Sequence, residues 1–343
     1  MERATLARRL LVALLVLEWV WAAGVIALAV LTAFGLNDRF LLWLPATFLP
    51  YLPLPLLPGL AWTVIQRRRV RRHLGALAAV ALVLLMYVGQ LLPTATGKDG
   101  DALVVMTFNV HHRPAHNQAI RALVAEEQPH VLALQEVRRR HGDDDLIALL
   151  EADGFACEQR PYYEGTSWGA ALCARPPVVL GPVQRRTYHE HGRWSYLFAE
   201  ARSDGRTFNL IAPHLLSYRI APIARPGDLV ELLRRVRRAR LWHRQETDEL
   251  LRLIRGFRDP TVMAGDFNST PEHAIHTRIR RHLRDAFREA GWGFGTTYQF
   301  ILPIRIDYIY TSSEIEVLEA HVGPSGLSDH RPVVARLRLV GAR

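Results

Sequence analysis

The chain has 343 residues, enough for one large domain and a smaller companion, and 49% of them are hydrophobic, which is high for a purely soluble enzyme. Its formal net charge is +10, yet from Asp101 onward 33 Arg face 29 Asp and Glu, leaving only +4 there. The basic balance therefore describes mainly the N-terminal third, and by itself does not argue for a nucleic-acid partner.

Three apolar segments, residues 10–34, 40–65 and 74–92, come first, and ordinary globular composition begins after Lys98, the single lysine. This pattern predicts a transmembrane module over residues 1–92, a linker over 93–100 and a soluble domain over 101–343. The third segment, LGALAAVALVLLMYVGQLL, is uncharged, and as a helix it would extend about 28 Å, close to one hydrocarbon core. The first carries Glu18 beside Trp19 and Trp21, so its acid is expected to face a neighbour or an interface. The middle segment holds Pro45, Pro50, Pro53, Pro55 and Pro58 and is expected to kink or to re-enter. An A-x-A pattern at Ala27 to Ala29 is followed by more apolar residues, which makes a cleaved signal peptide the weaker reading.

Arginine placement sets the orientation. Arg3, Arg8 and Arg9 precede the first segment, and QRRRVRRH, Gln66 to His73, adjoins the third; both belong in the cytoplasm. The third span then leads outward, so the expectation is a multi-pass inner-membrane protein with its soluble domain outside the cytoplasm. Cys157 and Cys173 stand in no metal-ligand pattern, and two buried free thiols are favoured over a pair because their spacing does not force proximity.

The soluble domain opens with LVVMTFNVHH from Leu103, a β-rich run ending at Asn109. A helix from about Ala115 to Glu127 leads to a second apolar strand, VLALQEV, closing on Gln135 and Glu136. A helix near Asp144 to Asp153 and strands around Phe155 to Tyr162 and Gly169 to Arg175 come next. Ser195 to Arg202 and Thr207 to Pro213 read as a hairpin turning through Ser203, Asp204 and Gly205, with His214 just beyond. Residues 229–256 show apolar positions at helical steps.

The stretch VMAGDFNSTPE, Val262 to Glu272, organises the rest. Strand alternation would point Asp266 and Asn268 the same way and Phe267 back into the core. An Asx-type turn closing a strand accounts for the tripeptide equally well. Beyond it lie helical turns over Glu272 to Ala290, the strand RIDYIYTS with Asp307, a stretch from Glu314 to Val322, the run Ser328, Asp329, His330, and a last strand, VVARLRL.

FNVHH, LQEV, APHLLS, AGDFNSTP, RIDYIY and GLSDHRP, in that order, resemble the endonuclease/exonuclease/phosphatase superfamily over about residues 103–339. The resemblance implies a four-layer αββα sandwich of two mixed sheets with a single cleft at the sheet ends. It implies hydrolysis of phosphate esters, with diesters favoured. The chemistry needs a cation to neutralise phosphoryl oxygens, a group that orients water, and donors for developing charge. Glu136 offers a hard oxygen to Mg²⁺ or Mn²⁺, Asn109 supports that metal or the phosphate, and Asp329 belongs by resemblance to the metal side. His330 is expected against the scissile phosphate with Asp307 fixing its tautomer and charge, Asp266 and Asn268 orient water and phosphate, and His214 is a further donor. Whether Asp266 or the His330–Asp307 pair acts as general base stays open.

Arg175 falls where the family often places a basic residue near the cleft. His111, His112 and His116 are read as solvent-facing. The basic stretch with Arg234, Arg235, Arg237, Arg238 and Arg240 could lie on anionic lipid, track a phosphate backbone, or simply be a solvated helix face. The first motif lacks the Trp-Asn pattern of abasic-site endonucleases. The expected partners are thus a nucleic acid or a lipid head group carrying the phosphate ester, and an inactive membrane scaffold is the reading of a different class.

Overall fold

The structure, a computed structural model, describes residues 2–66, 70–91, 102–111, 114–138, 145–188, 195–217, 226–299 and 301–340. The chain forms two compact units, one of residues 1–89 with 271–277, the other of residues 90–270 with 278–343.

The first unit contains α1 (Glu2–Ala33), α2 (Phe40–Thr47), α3 (Leu57–Gln66) and α4 (Leu74–Leu91). Two stretches, Arg8–Ala33 and Arg71–Leu91, are long and apolar enough to cross a membrane. Both leave large apolar side chains exposed, among them Leu10, Leu14, Leu17, Leu77, Leu84 and Leu85. The middle segment differs from the long helices on either side, because its prolines break it into α2, two 3₁₀ turns at Leu49–Tyr51 and Leu54–Leu56, and α3. Side chains compensate for the irregular backbone: Trp21 Nε1 donates to Leu52 O at 2.8 Å. Glu18 faces a neighbour, His73, at 2.7 Å. Residues 271–277 complete this unit. Asn37 Nδ2 donates to Glu272 O at 2.6 Å, Trp43 stacks on His273 at 4.4 Å, Thr47 Oγ1 lies 3.0 Å from His273 Nε2, and the Tyr87 hydroxyl donates to the Glu272 carboxylate. The expected linker, residues 93–100, lies outside the described residues.

The second unit is α/β. Its strands are β1 (Leu103–Asn109), β2 (Val131–Arg138), β3 (Ala156–Pro161), β4 (Trp168–Ala174), β5 (Val178–Leu180), β6 (Gln184–Thr187), β7 (Ser195–Ser203), β8 (Arg206–Ala212), β9 (Thr261–Asp266), β10 (Arg284–Asp285), β11 (Tyr298–Gln299), β12 (Pro303–Ile304), β13 (Asp307–Thr311), β14 (Ile315–Val322) and β15 (Val333–Leu339). Its helices are α5 (Asn117–Glu127), α6 (Leu146–Ala152), α7 (Pro226–Arg255), α8 (Ala274–Ile279), which begins within the first unit's segment, and α9 (Ala286–Ala290). One mixed sheet runs β14-β15-β1-β2-β4-β3 and the other β10-β13-β9-β8-β7-β5, with β6 also on β7.

β1 is buried throughout, and mostly apolar, because both of its faces are covered. Leu103 and Val105 enter the core between the sheets, while Val104, Met106 and Phe108 enter a second core beneath α5 and α6. Full burial of each such side chain contributes roughly 1.5–3 kcal/mol. On the other sheet Phe198 points outward and stacks on Phe257, just past α7, at 5.2 Å. The result is the four-layer arrangement expected from the sequence. Asp204 and Gly205 have φ of 50° and 76°, so the β7–β8 hairpin turns through two left-handed residues, as its Asp-Gly pair requires.

The cysteines correct the sequence reading. β3 and β4 pair antiparallel with Cys157 directly opposite Cys173, and the two form a disulfide. Register between adjacent strands supplies the proximity that their sequence spacing alone does not reveal.

Candidate active site

The sheets bring the polar strand ends to one edge. β1 and β2 are parallel, so Asn109 pairs with Gln135 and stands beside Glu136. β8 and β9 are also parallel, and just past them His214 bridges to Asp266. β13 runs antiparallel to β9, which sets Asp307, its first residue, opposite Asp266. Immediately before β15, His330 arrives at the same edge because β15 runs antiparallel to β1. Gly265 is required here, since a Cβ would meet Pro213 O at 2.0 Å.

Asp266 sits at the centre. Asn109 Nδ2 donates to its Oδ2 at 3.0 Å, His214 Nε2 lies 3.5 Å from that oxygen and His330 Nε2 3.9 Å from it. Asn268 does not reach it by strand alternation, because the strand ends at Asp266 and Asn268 adopts a left-handed φ of 46°. An Asx turn joins them instead: Asn268 N donates to Asp266 Oδ1 at 2.7 Å, and Asn268 Nδ2 donates to Oδ2 at 3.2 Å and to Leu215 O at 2.9 Å. Phe267 is fully buried, as alternation predicts.

His330 Nδ1 is 2.9 Å from Asp307 Oδ2. Burial alone would lower the pKa of His330, but Asp307, Asp266 and Asp329 outweigh it and hold the ring protonated well above neutral pH. His214 behaves oppositely: burial, and then the nearby His330, push it down to about 3, so its ring is neutral. Burial, and then the charge of Asp307, raise Asp266, while His330, Asn109 and Asn268 pull it back.

Glu136 lies where β2 slips register against β4 between Leu134 and Val137, and its φ is 58°. This bulge turns its carboxylate toward the other strand ends. Asn109 Nδ2 donates to Glu136 Oε1 at 3.3 Å, and the Asn109 side-chain oxygen accepts from His111 N at 3.0 Å. Asn109 is therefore a donor bridging two acids in this orientation of its amide. Glu136 and Asp329 converge on one point, marked by His111 Nδ1 at 3.5 and 3.4 Å. His111 is thus part of the site and not merely solvent-facing; its place two residues after Asn109 was the available signal. His112 lies outside the described residues.

Two groupings could take a cation. Asp266, Asp307 and His330 offer ligand atoms within 4.8 Å of one another, with His330 Nδ1 turned to Asp307 Oδ2 at 2.9 Å. Glu136 and Asp329 are partly exposed, converging hard oxygens, and this donor set fits a divalent cation such as Mg²⁺ or Mn²⁺.

Ser328, Tyr162 and Tyr298 join the site without having been singled out in the sequence. Ser328 Oγ donates to Asn109 O at 2.8 Å, the Tyr162 hydroxyl lies 2.7 Å from His214 Nδ1, and the Tyr298 ring lies 4.8 Å from that of His330. Arg175 is placed elsewhere. Because β4 runs antiparallel to β2, Ala174 pairs with Val131 at the far end of the strand; Arg175 Nε donates to Pro129 O at 2.9 Å and its guanidinium covers Phe155. Arg234, Arg235, Arg237 and Arg238 form a separate exposed face on α7.

The Endonuclease/Exonuclease/phosphatase family matches this chain over residues 106–330. The chain belongs to that family. A UPF0294 protein of Vibrio cholerae is 24% identical over 249 residues, covering 71% of this chain and 79% of its own. The human Nocturnin catalytic domain, solved with bound sulfate, superimposes with a TM-score of 0.54 at 20% identity, over 70% of this chain and 95% of that one. ANGEL2, a 2′,3′-cyclic phosphatase solved with adenosine-2′,3′-vanadate, gives 0.54 at 18% identity, over 69% of this chain and 96% of its own. The protein is a hydrolase of phosphate esters in this family, and its catalytic unit has the family's fold.

Proposed function

We propose that the protein is a membrane-anchored, divalent-metal-dependent phosphodiesterase whose catalytic unit lies outside the cytoplasm. The observation that carries this reading is the convergence of Glu136, Asp266, His214 and His330 on one cleft edge. A divalent cation held by Glu136 and Asp329 would supply charge neutralisation at a phosphoryl oxygen. The chain's own residues do the rest. His330, held as an imidazolium by Asp307, stabilises negative charge developing on the phosphate, and His214 is a second donor. Asp266, fixed by Asn109 and the Asn268 turn, orients the attacking water, with Asn268 on the phosphate side.

The two long apolar helices and the arginines beside them support the anchoring. The disulfide fits an oxidising compartment. On α7, Val230, Leu233 and Leu241 are exposed among the arginines, a mixture that suits a lipid surface better than a phosphate-backbone track. The favoured substrate is accordingly a phosphodiester on a lipid head group. The nucleotide ligand of ANGEL2 makes nucleic acid the second reading.

The test uses the full chain in lipid nanodiscs, assayed with Mg²⁺ or Mn²⁺ on phospholipids, sphingolipids, RNA, single- and double-stranded DNA and a generic phosphodiester, with Asp266→Ala as control. Cleavage of lipid supports the first reading and cleavage of nucleic acid the second. Glu136→Ala should abolish turnover and its response to added metal; a variant as active as wild type, or activity indifferent to chelator, removes the metal site. Protease added to spheroplasts should digest the catalytic unit, and full protection would reverse the topology.

A further inference from the structure

Tyr162 stands behind the site, fully buried and edge-on to Trp168 at 4.8 Å. Its hydroxyl accepts the Glu136 backbone N–H at 3.0 Å and lies 2.7 Å from His214 Nδ1. The bulge in β2 has freed that amide from the strand ladder, and an amide N–H can only donate. The phenol oxygen accepts from Glu136 on one lone pair, and its own proton can be directed at His214 Nδ1.

The opposite side of the imidazole requires the same assignment. His214 Nε2 lies 3.5 Å from Asp266 Oδ2 and 3.8 Å from Glu136 Oε1. A bare nitrogen lone pair there would face two carboxyl oxygens, whereas an N–H there is attracted to both. Protonating both nitrogens would set an Nδ1–H against the phenol proton directed at it.

We propose that Tyr162 is a positioning residue that fixes His214 as the Nε2–H tautomer, so that His214 offers the cleft a neutral hydrogen-bond donor. The inference rests on reading this edge as a phosphoester-hydrolase site. His214 then donates to a non-bridging phosphate oxygen and transfers no proton, leaving proton movement to Asp266 or the His330–Asp307 pair. Tyr162 also ties two site residues from different sheets to one atom, so that the backbone of Glu136 and the ring of His214 keep a fixed relation.

The experiment uses the full chain in detergent micelles with ¹⁵N-labelled histidine, and the His214 resonances are assigned by their loss in His214→Gln. In the wild type His214 should be protonated at Nε2 and bare at Nδ1. Tyr162→Phe keeps the ring and its contact with Trp168; it should give a mixture of tautomers and lower kcat about 10- to 100-fold, the range for removing an orienting partner, with a smaller change in KM. Protonation of wild-type His214 at Nδ1, a single Nε2–H tautomer persisting in Tyr162→Phe, or mixed tautomers at unchanged kcat would each overturn the proposal. If Tyr162→Phe does not fold, the wild-type tautomer decides. Because that spectrum needs no substrate, failure to find a phosphoester substrate would count against the functional reading and leave the tautomer result standing.

Discussion

Asp266, Asp307, His214 and His330 keep between 0% and 6% of their side-chain exposure, whereas Glu136, Asp329 and His111 keep 20%, 29% and 44%. The floor of the site and its rim are thus built differently although they share an edge. On the floor every charge is held by protein partners in a dry setting, and protonation follows from which neighbour is nearest. At the rim two carboxylates converge in partial contact with water, which leaves room for a cation from solution to complete them. In the proposed mechanism, floor residues act through fixed geometry and electrostatics, and rim residues through what they bind.

The largest effect should come from the floor. His330→Ala removes the imidazolium from a buried position, and turnover should fall on the order of a thousandfold, the scale for losing a principal charge-stabilising donor. The drop should appear in single-turnover kinetics at saturating metal. A near-normal rate would take His330 out of the site, whereas a rate restored by excess metal would move it to the rim.

Asp307→Asn should act next, and its sign is set by two shifts. Asp307 helps to raise both His330 and Asp266. In the proposed mechanism His330 works protonated and Asp266 ionised, so activity should rise as pH passes the raised Asp266 value and fall as it passes the raised His330 value. Removing the Asp307 charge lowers both, and the whole pH–kcat profile should move toward acid; an unmoved alkaline limb would dissociate Asp307 from His330.

The smallest effect concerns stability. Glu246, on α7, is fully buried, and burial raises it to about 8 against an ordinary 4.5, while both of its carboxyl oxygens accept from Leu216 N at 3.3 Å. A carboxyl whose folded value is raised contributes stability that is present below pH 4.5 and lost as pH rises through about 8. Glu246→Gln should therefore raise the melting temperature at pH 8 and leave it nearly unchanged at pH 5. An equal shift at both would mean that packing, and not ionisation, limits this position.

Much of the site was legible because strand ends mark themselves: an apolar run stopping at Asn109, Glu136, His214 or Asp266 shows where a buried sheet meets its cleft. Asp307 and His330 followed from short motifs of the same kind. What stayed hidden depends on pairing across the sheets. Nothing near Tyr162 announces that β3 ends behind His214, and Arg175 sits at a strand end as plausible by spacing as Glu136, yet antiparallel pairing carries it to the wrong edge. The same register joined the cysteines. Asn268 shows a local limit, since its contact with Asp266 is the one expected from strand alternation but is reached through a turn.

The short segment Pro271–Thr277 matters at the bench. It begins five residues after Asp266, yet its fold is completed by Asn37, Trp43, Thr47 and Tyr87. Removing residues 1–92 would strip Glu272 and His273 of those partners and leave the segment half-satisfied. Purification that keeps residues 1–92 attached therefore preserves the fold of this segment, which a truncated chain would lose.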